Sequence, residues 1–248
     1  MPDGSMTPSI RAWSATHPGA VRTQNQDACL CRPEIGLFAV ADGVGGHNGG
    51  EIAAARVMEM LSLIPDGLAP AARLAAVRAG LQDTHRALLD MARQPGSHIA
   101  PATTIVALLL DGDHFACLWA GDSRAYLLRD GVLHRLTTDH SVVQSLVSAG
   151  ALTEAEAEQD PRQNVITRAV GAGPEALSIA KSIGEVQPDD RFLLCSDGLY
   201  KTLEVEEIAR TAMGDAADVA QQLITRALAQ TARDNVTVVV AAPQAAYR

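Results

Sequence analysis

Five aspartates of this chain stand where a short apolar run meets a polar loop. Asp42 ends "LFAVAD", Asp122 ends "ACLWAGD" and Asp197 ends "FLLCSD". Asp27 opens "DACLC", and Asp234 opens "DNVTVVVAA". A single aspartate at such a junction is most often a turn or cap residue. If the ends of these runs meet at one rim, however, five carboxylates are crowded together, and crowded carboxylates repel one another unless a cation binds them.

The ligand atoms indicate the kind of cation. All five side chains offer oxygen, and no His or Cys joins them at the spacing of a metal site, so the pattern favours Mg²⁺ or Mn²⁺ over zinc. Calcium is disfavoured because the chain has no contiguous ligand-rich loop. A cluster of this size suits two ions about 3.5–4 Å apart, which share a carboxylate and a water molecule that they make acidic enough to attack a substrate.

A glycine-rich stretch, "ADGVGGHNGG", follows the first of these apolar runs at positions 41–50. It is not a phosphate-binding P-loop, since Glu51 stands where a lysine is required, and Asn48 replaces the third glycine of a dinucleotide fingerprint. Glycines at 43, 45 and 46 instead allow a sharp turn after Asp42. They let the backbone approach bound ions closely, and the Gly43 carbonyl is itself a candidate ligand.

Arg22 lies five residues before Asp27 in "RTQNQD". Its guanidinium group is suited to a bidentate grip on an oxyanion. The alternative is a surface arginine paired with a neighbour, but the nearness to Asp27 favours an oxyanion-binding role.

Cys195, in the segment "CSDGLYK", is a candidate nucleophile because some phosphatases use a cysteine thiolate. A thiol phosphatase needs an arginine about six positions further on, where this chain has Lys201, and Asp197 opposes a thiolate. We therefore interpret Cys195, like the other three cysteines, as a buried free thiol.

Composition limits the protein class. The chain has 248 residues, of which 47% are hydrophobic and 20% charged, so we expect a well-packed protein rather than a disordered one. Its net charge of −9 argues against a nucleic-acid partner. The sequence shows no apolar run of about 18 residues and no signal peptide, which predicts a cytoplasmic protein without a membrane partner.

The elements that must position these residues form an α+β pattern. Asp-Gly pairs at 111–112 and 130–131 separate apolar runs and predict antiparallel hairpins. Helices are predicted after the glycine loop, over 71–94 and near 215–232. We expect a single domain over 1–248, with a flap-like insertion at 138–174 that we call the flap. The predicted strands are "IRAWSAT", "DACLCR", "GLFAVAD", "TTIVALLLD", "HFACLWAGD", "RAYLLRD", "VLHRLT", "LSIAKSI", "RFLLCSD" and "VTVVVAA".

Eight segments in order make the chain resemble the metal-dependent protein phosphatases of type 2C in their compact bacterial form. The resemblance runs from about position 14 to 241 and implies a β-sandwich of two antiparallel sheets flanked by helices on both sides. It also implies hydrolysis of phosphoserine and phosphothreonine in proteins by direct attack of metal-bound water. The segments are "RTQNQD", "VADGVGGHNGGEIAA", "ATTIVALLL", "WAGDSRAYLLRDG", "LTTDHS", "NVITRAVG", "LLCSDGLYKTL" and "RDNVTVVVA".

The same resemblance implies a role for each site residue. Asp42 would bridge two Mn²⁺ or Mg²⁺ ions, and the carbonyl of Gly43 would bind one of them. Asp197 and Asp234 would bind the other ion. Asp27 would bind metal-bound waters, and Asp122 would help bind a third, weaker metal ion. Arg22 would bind the substrate phosphate.

Two departures from the family pattern affect the site. Animal members have a histidine after the Asp-Gly of the second motif, proposed as general acid, whereas this chain has Val44 there, and His47 is not equivalent to it. The group that protonates the leaving oxygen is therefore unassigned. Gln26 stands where many members have glutamate, which should leave one fewer fixed negative charge near the metals. For the other histidines we expect structural or surface roles, and His140 in "TDHS" is the one selected for testing.

Three functions remain open on the sequence. The first is an active phosphatase for phosphorylated Ser/Thr proteins, acting as a monomer opposite a eukaryotic-like Ser/Thr kinase. The second is a catalytically dead or weak relative that serves as a binding or regulatory module, and the third is a metal-dependent hydrolase of small phosphoesters. Retention of all five aspartates favours the first.

Overall fold

The computed structural model describes residues 10–44, 49–94 and 100–244. Within these ranges the chain alternates between blocks of strands and blocks of helices, with a 3-10 turn over Pro33–Ile35. The strands are β1 (Ile10–His17), β2 (Ala28–Arg32), β3 (Leu37–Ala41), β4 (Gly43–Val44), β5 (Ala102–Thr103), β6 (Ile105–Asp111), β7 (His114–Ala120), β8 (Arg124–Arg129), β9 (Val132–Arg135), β10 (Ala180–Glu185), β11 (Arg191–Cys195) and β12 (Val236–Pro243). The helices are α1 (Gly49–Ser62), α2 (Pro70–Arg93), α3 (Val142–Ser148), α4 (Glu154–Gln159), α5 (Asp197–Tyr200), α6 (Val205–Ala212) and α7 (Ala216–Ala229).

Two five-stranded antiparallel sheets form the centre of the molecule. Their strand orders are β1-β12-β11-β8-β9 and β10-β7-β6-β3-β2, and the short strands β4 and β5 pair separately. Both predicted hairpins are present: β8 pairs with β9 across 130–131, and β6 pairs with β7 across 112–113, since Asp111 is itself paired with His114. Asp130 and Gly131 adopt φ values of 52° and 76°, the left-handed region that a tight two-residue hairpin turn requires.

The two sheets pack face to face and are covered by helices on their outer sides. In β3, Phe38 and Val40 point into the layer between the sheets. Leu37 and Ala39 point the other way, into the layer beneath α1 and α2. The strand β11 alternates in the same manner between the central layer and the layer beneath α6 and α7. The implied α-β-β-α sandwich is therefore confirmed, and burial on both faces explains why these strands read as continuous apolar runs.

Strand β10 begins at Ala180, three residues later than the run "LSIAKSI" predicted. The backbone N–H of Leu177 donates to Gln82 Oε1 at 3.0 Å. This bond ties the segment to α2 rather than to β7, and strand pairing starts only at Ala180 opposite Trp119.

The flap contains two short helices, α3 and α4. Ser141 caps α3 by accepting from the N–H of Gln144, and Thr153 forms a capping box with Glu156 at the start of α4. The flap returns to the sandwich through an isolated bridge between Val170 and Thr103. Across the described ranges, every helix is too short or too polar to serve as a membrane span.

Candidate metal centre

The strand ends that carry the aspartates meet at one end of the sandwich, around a cavity of about 1020 Å³. Strands β3, β7 and β11 end there, while β2 and β12 begin there. Flap residues close one side of the cavity. Its lining includes Arg22, Gln26, Asp42, Gly43, Val44, Asp122, Gln163, Asn164, Ile166, Asp197, Lys201, Arg233 and Asp234.

Asp42 is held by its backbone at the start of the glycine loop. Its N–H donates to Thr104 Oγ1 at 3.0 Å, and its carbonyl accepts from the N–H of Thr104 and the hydroxyl of Thr103. Burial raises the pKa of the Asp42 carboxyl well above its usual range, and the charges of the other four aspartates raise it further. The carboxylates are thus close enough in space to repel one another, which the strand-end positions had predicted.

Asp27 is buried directly behind this cavity. Its Oδ2 accepts from the hydroxyl of Ser196 at 2.7 Å, whereas Oδ1 is buried with no hydrogen-bond partner among the described residues. Burial is the largest cause that raises the pKa of Asp27 to about 7. Asp122 is also buried, and burial together with the charge of Asp197 raises its pKa to about 6.

The other two aspartates are paired with cations of the protein. Arg22 donates to both carboxylate oxygens of Asp234, with Nε–Oδ1 at 3.0 Å and Nη2–Oδ2 at 2.9 Å. Lys201, the residue that follows α5, donates from Nζ to Asp197 Oδ2 at 2.7 Å, and Asp197 lies four positions earlier at the start of that helix. These ion pairs occupy carboxylate oxygens that the sequence assigns to metal.

The side-chain chemistry fits a pair of hard divalent ions. The donors are carboxylate oxygens, and the buried Oδ1 of Asp27 lacks the partner that a buried charged oxygen requires. Burial, followed by the charges of neighbouring carboxylates, raises the pKa of Asp27, Asp42 and Asp122, so a bound cation would stabilise their ionised forms. Within the described residues, no three His, Cys, Asp or Glu side chains already enclose an ion position, in keeping with the side chains of Asp197 and Asp234 being turned to Lys201 and Arg22.

The glycine loop passes very close to the first turn of α1. A Cβ atom on Gly43 would lie 2.5 Å from the carbonyl carbon of Gly50 and 2.7 Å from the carbonyl oxygen of Gln26. Only glycine permits this contact, which places the Gly43 backbone at the cavity wall. The glycines at 45 and 46 and His47, which also entered the sequence interpretation, lie outside the described residues.

Comparison with known proteins identifies the family. The sequence profile described as Protein phosphatase 2C matches residues 19–238 of this chain. The chain belongs to the protein phosphatase 2C family.

Relatives with a solved structure support the same assignment. PppA, described as a key regulatory component of T6SS in Pseudomonas aeruginosa, superposes with a TM-score of 0.86 at 38% identity, over 95% of this chain and 99% of that one. The catalytic domain of the serine/threonine protein phosphatase PstP in complex with two manganese ions gives a TM-score of 0.81 at 35% identity, over 95% of this chain and 98% of that one.

The curated protein PstP of Mycobacterium tuberculosis is 35% identical over 233 residues. That alignment covers 94% of this chain but 45% of PstP. The chain thus spans less than half the length of this type 2C relative.

Several residues that build the type 2C site were not singled out from the sequence. Asn235 is buried, its Nδ2 donates to the carbonyls of Pro18 and Gln24, and its Oδ1 accepts from the N–H of Gln26. It therefore ties the loop that carries Arg22 and Asp27 to the start of β12. The only signal for it was its place beside Asp234 in "RDNVT".

The remaining candidates occupy supporting positions. Burial raises the pKa of the Cys195 thiol to about 12, which agrees with its exclusion as a nucleophile. The His140 ring stacks on Trp119 and accepts from the N–H of Gly121 at 3.2 Å. His85 is buried and accepts from the N–H of Gly171. These two histidines tie the two ends of the flap to the sandwich.

Proposed function

We propose that this chain is a metal-dependent protein-serine/threonine phosphatase that hydrolyses phosphoserine and phosphothreonine in proteins by direct attack of water. The observation that carries the proposal is that four aspartates line one cavity, while a fifth, Asp27, is buried close enough to act on Asp42 and has a buried carboxylate oxygen without a partner among the described residues. Family membership and the two manganese ions of the related PstP catalytic domain support it. We also propose that residues 1–248 act as one phosphatase domain.

We assign the metal ligands as the family resemblance implies. Asp42 and the carbonyl of Gly43 would hold the ions from the glycine loop, and Asp197 and Asp234 would hold them from the opposite strand ends. Asp27 and Asp122 would act from the buried side of the cavity. Two bound Mn²⁺ or Mg²⁺ ions would acidify water and offset the negative charge of the carboxylates and the phosphate.

The chain's own residues then have separate tasks. Arg22 is exposed at the cavity mouth and already presents a bidentate edge to Asp234, and the same edge suits a phosphate. Ser196 donates to Asp27 and fixes the direction in which that carboxylate faces. The flap residues 163, 164 and 166 line the cavity, so a phosphopeptide must pass beside them.

The partner and the setting are part of the same proposal. A protein phosphatase of this kind acts on phosphorylated Ser/Thr proteins and opposes a Ser/Thr kinase, and the acidic net charge of −9 does not favour nucleic acid. We place it in the cytoplasm as a monomer.

The test measures the rate at which the manganese-loaded protein hydrolyses different phosphoesters. A phosphothreonine peptide should be hydrolysed, and Asp42→Asn should abolish that turnover, while Asp90→Asn on the exposed face of α2 should not change it. Wild-type rates in Asp42→Asn would refute the assignment. Preference for nucleotides would identify a hydrolase of small phosphoesters, and manganese binding without turnover of any phosphoester would identify a binding module.

A further inference from the structure

Lys201 connects the proposed metal centre to the flap. Its ammonium group donates to Asp197 Oδ2 and to Asn164 Oδ1, each at 2.7 Å. Asp197 belongs to α5 at the rim of the sandwich, whereas Asn164 belongs to the flap. We call this chain of contacts, Asp197–Lys201–Asn164, the Lys201 bridge.

We propose that the Lys201 bridge makes metal binding and flap attachment antagonistic: the ammonium holds the flap to Asp197 when no ion is bound, and an ion that takes Asp197 releases it. The inference rests on the proposed function only in that Asp197 is taken as a metal ligand. It assigns a regulatory role to Lys201, a residue to which neither the sequence pattern nor the catalytic proposal gave a role.

The position of Lys201 supports competition with a metal ion. Its side chain is 31% exposed and that of Asp197 is 19% exposed, so solvent screens their contact only in part. Burial lowers the pKa of Lys201, but the charges of Asp197, Asp122 and Asp42 more than offset this and raise it. The ammonium therefore supplies positive charge to the same carboxylates that a divalent ion would neutralise.

The flap segment around Asn164 is bonded to other parts of the flap, and Lys201 joins it to the sandwich. Asn164 is exposed, and its neighbours 162 and 163 are exposed as well. The backbone bonds of this segment stay within the flap: Val142 N–H donates to the carbonyl of Val165, and Thr167 N–H donates to the carbonyl of His140. The bond from Lys201 thus holds this exposed segment against the cavity that it lines.

Lys201 also stands between two cavities. It lines the metal cavity and a neighbouring one of about 370 Å³, which lies between the flap helices α3 and α4 and the residues that follow α5. Movement of its side chain would therefore change the lining of both cavities.

The first measurement is manganese binding by titration calorimetry, without substrate. Lys201→Ala should bind Mn²⁺ about tenfold more tightly than the wild type, because a competing cation is removed from Asp197. Lys201→Arg keeps the charge and should stay within about twofold of the wild type. Lys181→Ala, at an exposed position of β10, is the matched lysine control and should change nothing. Equal or weaker binding by Lys201→Ala would overturn the inference.

The second measurement is amide hydrogen exchange over residues 161–168. In metal-free protein, Lys201→Ala and Asn164→Ala should both exchange faster than the wild type, since each breaks the bridge. Asn164→Ala removes the flap attachment but keeps the ammonium beside Asp197, so it should bind manganese more tightly than the wild type, although by less than Lys201→Ala does. Manganese should speed exchange in the wild type but not in Lys201→Ala, and slower exchange in the wild type on manganese binding would contradict antagonism.

The manganese titration distinguishes an error in the Lys201 bridge from an error in the proposed function. If wild-type protein binds no manganese, the metal centre itself is wrong. If the wild type binds manganese and Lys201→Ala binds it equally well, the centre stands and the Lys201 bridge has no role in it.

Discussion

At the scale of single residues, the site contains more carboxylates than cations that pair with them. Of five converging carboxylates, two are ion-paired, those of Asp234 and Asp197. The other three, Asp27, Asp42 and Asp122, show no ion pair among the described residues, and their pKa values are raised. Raised acid pKa values clustered in a cavity are typical of functional sites, because they store the unfavourable energy that a bound cation relieves.

Arg22→Ala tests the phosphate-binding assignment. A charged bidentate contact contributes about 1.5–3 kcal/mol, so KM for a phosphothreonine peptide should rise roughly ten- to hundredfold with a smaller change in kcat. The KM of Arg22→Lys should lie between the KM values of the wild type and Arg22→Ala, because lysine keeps the positive charge but cannot form a bidentate contact. The measurement is steady-state kinetics with saturating Mn²⁺, with Arg78→Ala on the exposed face of α2 as control. An unchanged KM would exclude phosphate binding by Arg22.

The pH dependence of stability tests the burial of Asp27. Its folded-state pKa of about 7 lies above the ordinary value of 3.8, so between these values the folded protein holds a proton that the unfolded chain has lost. The resulting stability is fully present below pH 3.8 and is lost as the pH rises through about 7. Metal-free protein should therefore lose roughly 1 kcal/mol between pH 6.5 and 8 from this group.

Asp27→Asn isolates that contribution. Urea unfolding in the presence of a chelator should show a smaller loss between pH 6.5 and 8 for the variant than for the wild type. Titration of histidines in the unfolded chain affects both proteins alike and cancels in the difference. Identical pH profiles would mean that Asp27 is ionised in the folded state throughout this range.

At the residue scale, the sequence indicated which carboxylates meet but not what surrounds them. The aspartates could be recognised because each lies at the boundary between an apolar run and a polar loop. Lys201 and Asn235 could not, because their importance comes from partners 37 residues away at Asn164 and 209 residues away at Gln26. Contacts of that separation arise only from the folded topology.

At the scale of elements, the close contact between β4 and α1 positions the glycine loop. Gly43 and Gly50 touch through their backbones, and Gly43 pairs with Thr103 in the small β4–β5 sheet. The loop is thus set by a helix start on one side and a strand on the other. The ligand geometry at Asp42 and Gly43 depends on both.

Gly50→Ala tests this contact without altering any proposed ligand. The new methyl group would lie 2.7 Å from the carbonyl carbon of Gly43, so β4 and α1 must separate. We expect a loss of about 1–3 kcal/mol in the free energy of unfolding and manganese binding weakened roughly tenfold. Glu51→Ala, at the next and exposed position of α1, should preserve both quantities. Wild-type manganese affinity in Gly50→Ala would show that the position of Gly43 is unimportant.

Most elements were predictable because strong local patterns specify them. The Asp-Gly hairpins and the long helix α2 follow from turn chemistry and from periodicity. The strands β4 and β5, each two residues long, were not predicted. They form because the start of the glycine loop lies beside the residues that precede β6, a tertiary contact that leaves no periodic signal.

At the scale of the whole molecule, two opposing fields act on a substrate. The net charge of −9 repels an anionic phosphopeptide at long range. Inside the cavity, bound divalent ions and the nearby cations Arg22, Lys201 and Arg233 reverse the sign. Only the cavity field is specific for phosphate, so the outer field should select substrates by the charge of the residues that flank the phosphorylated one.

Phosphothreonine peptides with lysine or arginine flanks should therefore have a higher kcat/KM than peptides with glutamate flanks. The expected ratio is about ten at 50 mM NaCl and should fall towards one at 500 mM, where the Debye length is only a few ångströms. Because salt also weakens phosphate binding itself, a peptide with neutral flanks serves as the reference at each salt concentration. A preference that persists unchanged at 500 mM NaCl would instead require direct contacts between the flanking side chains and the cavity rim, and the long-range field of the molecule would then play no part in selection.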